Sequence, residues 1–252
     1  MLNRPPLWIA ITAVTALASG LSACGGGAGK AATTPSSSAT SASRPTTTST
    51  ASSTTNQAGP RTVAELKSAL LALDDLPSGF AIEAAGGSGG DDGSSSSQDP
   101  KCAPLVKLVN AKTAPGSRAA AAVSFSGGQD GPFVDESIDA LDSAEAVGAL
   151  QASFKSAVAA CRKLVITISG QGSSTMKVAE VSAPKFGEHP FAARLTATGG
   201  PLEGLEITQV TAGVKDVVVS VTFVAAVPED VDGGTEAAVG KAEDVLGAAP
   251  GA

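Results

Sequence analysis

Tyrosine is absent from this 252-residue chain, and histidine and tryptophan occur once each. With His189 as the lone imidazole, histidine-rich metal sites are excluded and general-base chemistry of that kind has a single candidate. Phe supplies all other aromatics, so a core must pack through Val, Leu, Ile and Ala. Carboxylates are missing before residue 61, where Arg4, Lys30 and Arg44 are the only charged side chains. The remaining 14 of the 17 Lys and Arg and all 24 Asp and Glu lie in residues 61–252, which therefore carry a net −10. A body this acidic is not drawn to nucleic acid or to anionic lipid headgroups, and no nucleic-acid partner is expected.

What the N-terminus does have is an export signal. Arg4 provides a short positive region, Leu7 to Ala18 an apolar stretch of about a dozen residues, and small side chains follow. The stretch is too short to span a bilayer, which takes roughly 20 residues. It ends in Leu21-Ser22-Ala23-Cys24, which resembles the lipobox of bacterial lipoprotein precursors. That resemblance implies a signal peptide over residues 1–23, with Cys24 becoming the lipidated first residue of the mature protein. The chain is then expected to be tethered to the cell membrane on its extracytoplasmic face, because two or more acyl chains anchor stably where one does not.

Residues 25–60 are nearly all Gly, Ala, Ser, Thr and Pro. Such a segment buries too little apolar surface to offset the entropy of ordering, so residues 24–60 read as a lipidated cysteine and a disordered spacer. As a flexible coil of about 36 residues it reaches roughly 30–35 Å. The Thr46 to Thr50 cluster beside Pro45 also has the composition of an O-glycosylated stalk.

Once Cys24 is lipidated, Cys102 and Cys161 remain, and outside the cytoplasm an even pair reads as a disulfide. It would close a loop of about 58 residues, worth about 4 kcal/mol by the chain-entropy model. A reactive thiol pair or a metal site is the alternative, although the spacing matches no metal pattern.

Residues 61–252 are of a size that one domain fills. Thr62 and Glu65 form a capping box ahead of a helix with the stripe Val63, Leu66, Leu70 and Leu73, which stops at Leu76-Pro77-Ser78-Gly79. A second helix starts near Asp142-Ser143-Ala144-Glu145 and carries Val147, Leu150, Phe154, Val158 and Cys161 on one face. A short helix from Pro104 to Leu108 and a final one from Val239 to Leu246 complete the helical set. Alternation predicts strands around Ala121–Phe125, Val134–Ile138, Leu164–Ser169, Phe191–Leu195, Leu205–Ile207 and Val217–Phe223, the last central because of its β-branched run. The fold class expected is α+β, a mostly antiparallel sheet covered on one face by the Asp142–Cys161 helix. Ser220, Thr222, Thr208 and Thr196 are expected on the opposite face, toward water or a ligand cleft.

This order of elements resembles the extracytoplasmic sensor domain of mycobacterial PknH-type serine/threonine kinases, a fold also found in stand-alone actinobacterial lipoproteins. The resemblance is carried by Asp75-Leu76-Pro77-Ser78-Gly79-Phe80 after the first helix, by a cysteine opening the next segment, and by Phe154 to Cys161 followed by strands. Two features depart from that family: Val158 stands where it tends to place tryptophan, and one cysteine pair exists where it often has two. No cleft residue carries over from the resemblance.

Candidate chemistry is thin. His189 precedes Pro190 in a polar turn, and no nucleophile elbow of the strand–turn–helix kind accompanies it. Asp135, Glu136 and Asp139 sit on a strand where alternation separates Glu136 from the other two, a pattern suited to a solvated edge. The Gly86–Ser97 stretch, with Asp91 and Asp92, reads as a mobile surface insertion without phosphate-loop or calcium-loop spacing. No enzyme activity, cofactor or metal is expected. Three functions remain: a non-catalytic binding or sensor module for a small envelope molecule or a protein partner; a carrier of lipidic molecules between membrane and wall, which needs a large apolar cavity; and a cell-wall interaction protein with a closed interior.

Overall fold

The computed structural model describes residues 60–83 and 93–247, so the leader, Cys24 and nearly all of the spacer lie outside it. Nine strands make one sheet: β1 (Ala81–Ile82), β2 (Gly93–Ser96), β3 (Ala119–Ser126), β4 (Phe133–Ala140), β5 (Lys163–Ile168), β6 (Gly172–Val181), β7 (Glu188–Ala197), β8 (Glu206–Val214) and β9 (Val217–Val224). Their spatial order is β1-β3-β4-β9-β8-β7-β6-β5-β2 and every pairing is antiparallel. Four helices join them: α1 (Val63–Ala69), α2 (Ala103–Val109), α3 (Ala144–Ala160) and α4 (Pro228–Leu246). The domain is α+β, and the β-branched β9 lies inside the sheet.

Alternation along the strands builds two cores on opposite faces. On the first face, Ile138 of β4, Val219 and Val221 of β9 and Val210 of β8 meet α1 and α4, with Leu66, Val239 and Leu246 buried among them. On the second, Leu164 of β5, Met176 and Val178 of β6 and Leu195 of β7 meet α2 and α3. Each fully buried Val, Leu or Phe of these clusters contributes about 1.5–3 kcal/mol. The helices therefore cover both faces, but over different halves of the sheet, where the sequence predicted one covered face. α4 begins at Pro228, eleven residues before the expected start, because Gly233 and Gly234 mask its periodicity. Gly234 is required there: a Cβ would meet the Phe223 ring at 2.7 Å, so only glycine lets α4 settle on β9.

The start of the domain is tied to its end. Arg61, 7 % exposed, donates from Nη2 to Asp216 at 3.0 Å in the β8–β9 turn and to the Leu246 carbonyl at 2.8 Å at the close of α4. Thr62 and Glu65 form the expected capping box. Leu66 and Leu70 of the predicted stripe are buried together with Ala69 and Leu71, whereas Val63, the first residue of α1, and Leu73, beyond its end at Ala69, are exposed. Cys102 and Cys161 are bonded, Cα atoms 4.5 Å apart, stapling the start of α2 to the end of α3. At the sheet edge, β2 is held from outside: the Asn110 side chain accepts from Ser95 N–H at 2.8 Å and donates to Ser95 C=O at 2.7 Å. Residues 93–96 of the expected mobile insertion are thus a paired edge strand; residues 84–92 lie outside the description.

The acidic run on β4 is not a solvated edge. β4 is interior, and Glu136, 1 % exposed, points into the α1–α4 core, accepting from Leu71 N–H at 2.7 Å through Oε2 while Oε1 has no partner. Burial pushes its carboxyl up to about 7, against the Leu71 hydrogen bond and Lys241, which favour the anion. Its folded pKa stands above the unfolded value, so the folded state keeps a proton that the unfolded state loses, and stability falls as pH rises from about 4.5 to about 7. Denaturant titrations should lose about 3 kcal/mol across that interval, and Glu136→Gln should flatten the curve.

Candidate functional site

A cleft opens on the second face, where α3 passes beyond its apolar partners and over the middle strands. Beneath it the strands offer short polar side chains: Ser137 and Asp139 from β4, Ser220 from β9, Gln209 and Thr211 from β8. These do not reach the underside of α3, where Leu150, Gln151 and Phe154 hang, and a space of about 110 Å³ is left between. The segment after α2, Ala111 to Pro115, forms the outer wall. That wall is anchored to the sheet, since Ala114 N–H donates to Asp139 Oδ1 at 3.0 Å. Asp139 is 3 % exposed and burial raises its carboxyl above the usual range, offset in part by Ser117 and Ala114.

The α3 side is shaped by an irregularity in β7. Register slips between Glu188 and Phe191, and His189 takes a left-handed backbone with φ of 49°. Such strain in a residue that is not glycine persists only where surroundings over-determine it. The bulge fits because its neighbours are glycines: a Cβ on Gly213 would meet Glu188 at 3.3 Å, and one on Gly187 would meet the Gly213 carbonyl at 2.9 Å. Its two carbonyls, Glu188 and His189, accept from Gln151 Nε2 at 3.2 and 3.1 Å. The Gln151 amide is thereby locked, with Oε1 buried and unpartnered. Thr211 Oγ1, on the floor, is likewise buried without a partner. Phe154 stacks edge-on against Phe191 at 5.5 Å, which steadies α3 at this point.

The sequence foresaw a polar sheet face but divided it wrongly. Ser220 and Thr222 share α3's face, whereas Thr208, paired with Phe223, and Thr196 belong to the other. Register across β7, β8 and β9 decides this, and the register was not readable from composition. Asp135 and Asp139 do share a face, with Glu136 on the opposite one. His189 matters through its backbone, not its imidazole, and is exposed. Gln151 escaped notice because its helical position reads as an ordinary polar residue between apolar ones. Among the described residues, no group of three or more His, Cys, Asp or Glu is placed to hold a metal, and no helix is long and apolar enough to cross a membrane.

The described residues thus form an α+β domain, an antiparallel sheet with helices on both faces and a small, polar-floored cleft under α3. The chain belongs to the family of PknH-like extracellular domains, whose model matches residues 61–246. It is similar in fold to the extracellular domain of PknH from Mycobacterium tuberculosis, with a TM-score of 0.54 and 15 % identity over 75 % of this chain and 98 % of that one. No curated protein matches it.

Leaving a buried hydroxyl unpaired costs about 1–3 kcal/mol. Thr211→Val, of nearly equal volume, should therefore keep or raise stability by about 1 kcal/mol in denaturant titrations, whereas a hydroxyl needed for packing would cost stability on removal.

Proposed function

We propose that this protein is a non-catalytic, lipid-anchored sensor-type module of the cell envelope that receives a small ligand in the cleft under α3. The observation that carries the reading is the space of about 110 Å³ left open under α3 above a floor of polar side chains, Ser137, Asp139, Gln209, Thr211 and Ser220. Membership of an extracellular domain family agrees with an exported body, and the lipobox-like run at Cys24 supplies the tether. The spacer then lets the domain stand off the membrane, where its acidic surface is repelled by anionic headgroups.

Two other readings are weaker. A carrier of lipidic molecules needs a large apolar cavity, and about 110 Å³ with a polar floor compares poorly with the roughly 300–1,000 Å³ that enclose drug-sized ligands. A closed wall protein has no use for an open, polar-floored space beneath a helix.

Palmitate labelling of the full-length chain in its host should be lost in Cys24→Ala, with the variant released from the membrane fraction. Native mass spectrometry of the wild-type protein should show no lipid beyond its own acyl chains. A stoichiometric extra lipid would favour the carrier.

A further inference from the structure

On the face away from the cleft, three charged side chains share one contact between α4 and the turn that follows α1. Glu136 has no polar neighbour on its face of the sheet: Val123 and Val221 stand beside it across the strands, and Val134 and Ile138 before and after it along β4. α1 adds Leu66 and Ala69, while its Glu65 turns back to Thr62 and its Lys67 is exposed. Among the described residues, the charged groups that act on the Glu136 carboxyl are Lys241 of α4 and Asp75 of the Leu73–Asp75 turn. Those two are bonded to each other, Lys241 Nζ donating to Asp75 Oδ2 at 2.5 Å, and the same oxygen accepts from Ala72 N–H at 2.7 Å. Glu136 Oε2 accepts from Leu71 N–H. One short stretch, Leu71 to Asp75, is thus fastened to α4 by an ion pair and to β4 by a hydrogen bond.

One ammonium therefore faces two carboxylates. While Glu136 keeps its proton, Lys241 belongs to Asp75, and Glu136 is a neutral group in an apolar core. Once the proton leaves, Oε1 is a buried charge without a partner, which a core does not sustain. Lys241 is the cation at that contact, half-buried on a flexible four-carbon stem, and it meets the new charge by leaving Asp75. The other response, opening of the turn so that water reaches Glu136, breaks the same contacts.

We propose that Glu136, Lys241 and Asp75 form a proton-controlled latch: with Glu136 protonated the Leu71–Asp75 stretch is held on α4, and loss of the proton draws Lys241 to Glu136 and releases the stretch. The latch adjoins α1, the first element after the spacer, so it couples pH to the end of the domain from which the spacer leaves. It does not depend on what the cleft holds.

Linkage fixes the direction. Burial keeps the proton on Glu136 up to about 7 in the closed domain, whereas in the opened stretch the carboxyl ionises at its ordinary value of 4.5. Opening is therefore favoured about tenfold for each pH unit between those values and levels off above the upper one.

Hydrogen exchange of the full-length chain in detergent micelles, corrected for the intrinsic pH dependence of amide exchange, reads the latch. Protection of the Leu71, Asp75 and Leu76 amides should fall about a hundredfold from about pH 5 to about pH 7 and then level off, while that of Ala111, at the end of α2, stays constant. Lys241→Met should lose turn protection tenfold or more already at the lower pH, and Glu136→Gln should make protection independent of pH. In carbon-13 NMR the Asp75 carboxyl should show a second step where Glu136 titrates, and Asp75→Asn, by leaving Lys241 to Glu136, should bring the Glu136 midpoint down. Asp75 and Lys241 are both partly exposed, so their variants decide the matter even where a change at buried Glu136 prevents folding. Turn protection that stays flat with pH, an Asp75 carboxyl that ignores the Glu136 step, or a Lys241→Met protein as protected as wild type at the lower pH would each overturn the latch.

Discussion

Every feature of this domain depends on the phase of alternation along β4, β9 and β8. A side chain on a strand can face only one of two sides, and here the registers put Ile138, Val219, Val221 and Val210 on one side and Ser137, Ser220, Gln209 and Thr211 on the other. A slip of one residue in any of the three would send hydroxyls into the α1–α4 core and valines into the cleft. The apolar core beneath α4 and the polar floor beneath α3 are thus consequences of one constraint. Such sharing explains how a domain with few aromatics still specifies a polar-floored cleft: the residues that stabilise it also aim the neighbours that line the cleft.

Around that sheet, local devices hold position. Arg61 ties the first described residues to the β8–β9 turn and the end of α4, closing the domain on itself. The Cys102–Cys161 bridge fixes α2 to α3, and the segment running on from α2 becomes the outer wall of the cleft. The β7 bulge is the most specific of these devices, because it spends backbone strain at His189 to fix one amide of α3. Glu136 buries a carboxyl in the opposite core without full hydrogen bonding.

Much of this is legible in the amino-acid sequence. The capping box at Thr62, the stripe ending in Cys161 and the β-branched run of β9 each follow from short-range physics, and each sits where expected within a residue or two. β6 was missed because Ser173, Ser174 and Thr175 dilute its alternation; β1 and β2 are too short to show any. The α4 start was hidden by glycines whose purpose, contact with Phe223, is tertiary. For the candidate site, the polarity of β9 was visible but its partners were not: cross-strand register, the bulge and the reach of Gln151 arise only when distant segments meet. Glu136 shows the same limit, since a carboxylate in an acidic run reads as solvated until its strand proves interior.

The most direct test of the proposed cleft is a high-resolution crystal structure of the protein as isolated from its host. The account predicts an open space under α3 with ordered density, from water or a bound molecule, above the floor of Ser137, Gln209 and Ser220. A cleft closed by α3 packed directly onto those strand side chains would contradict it.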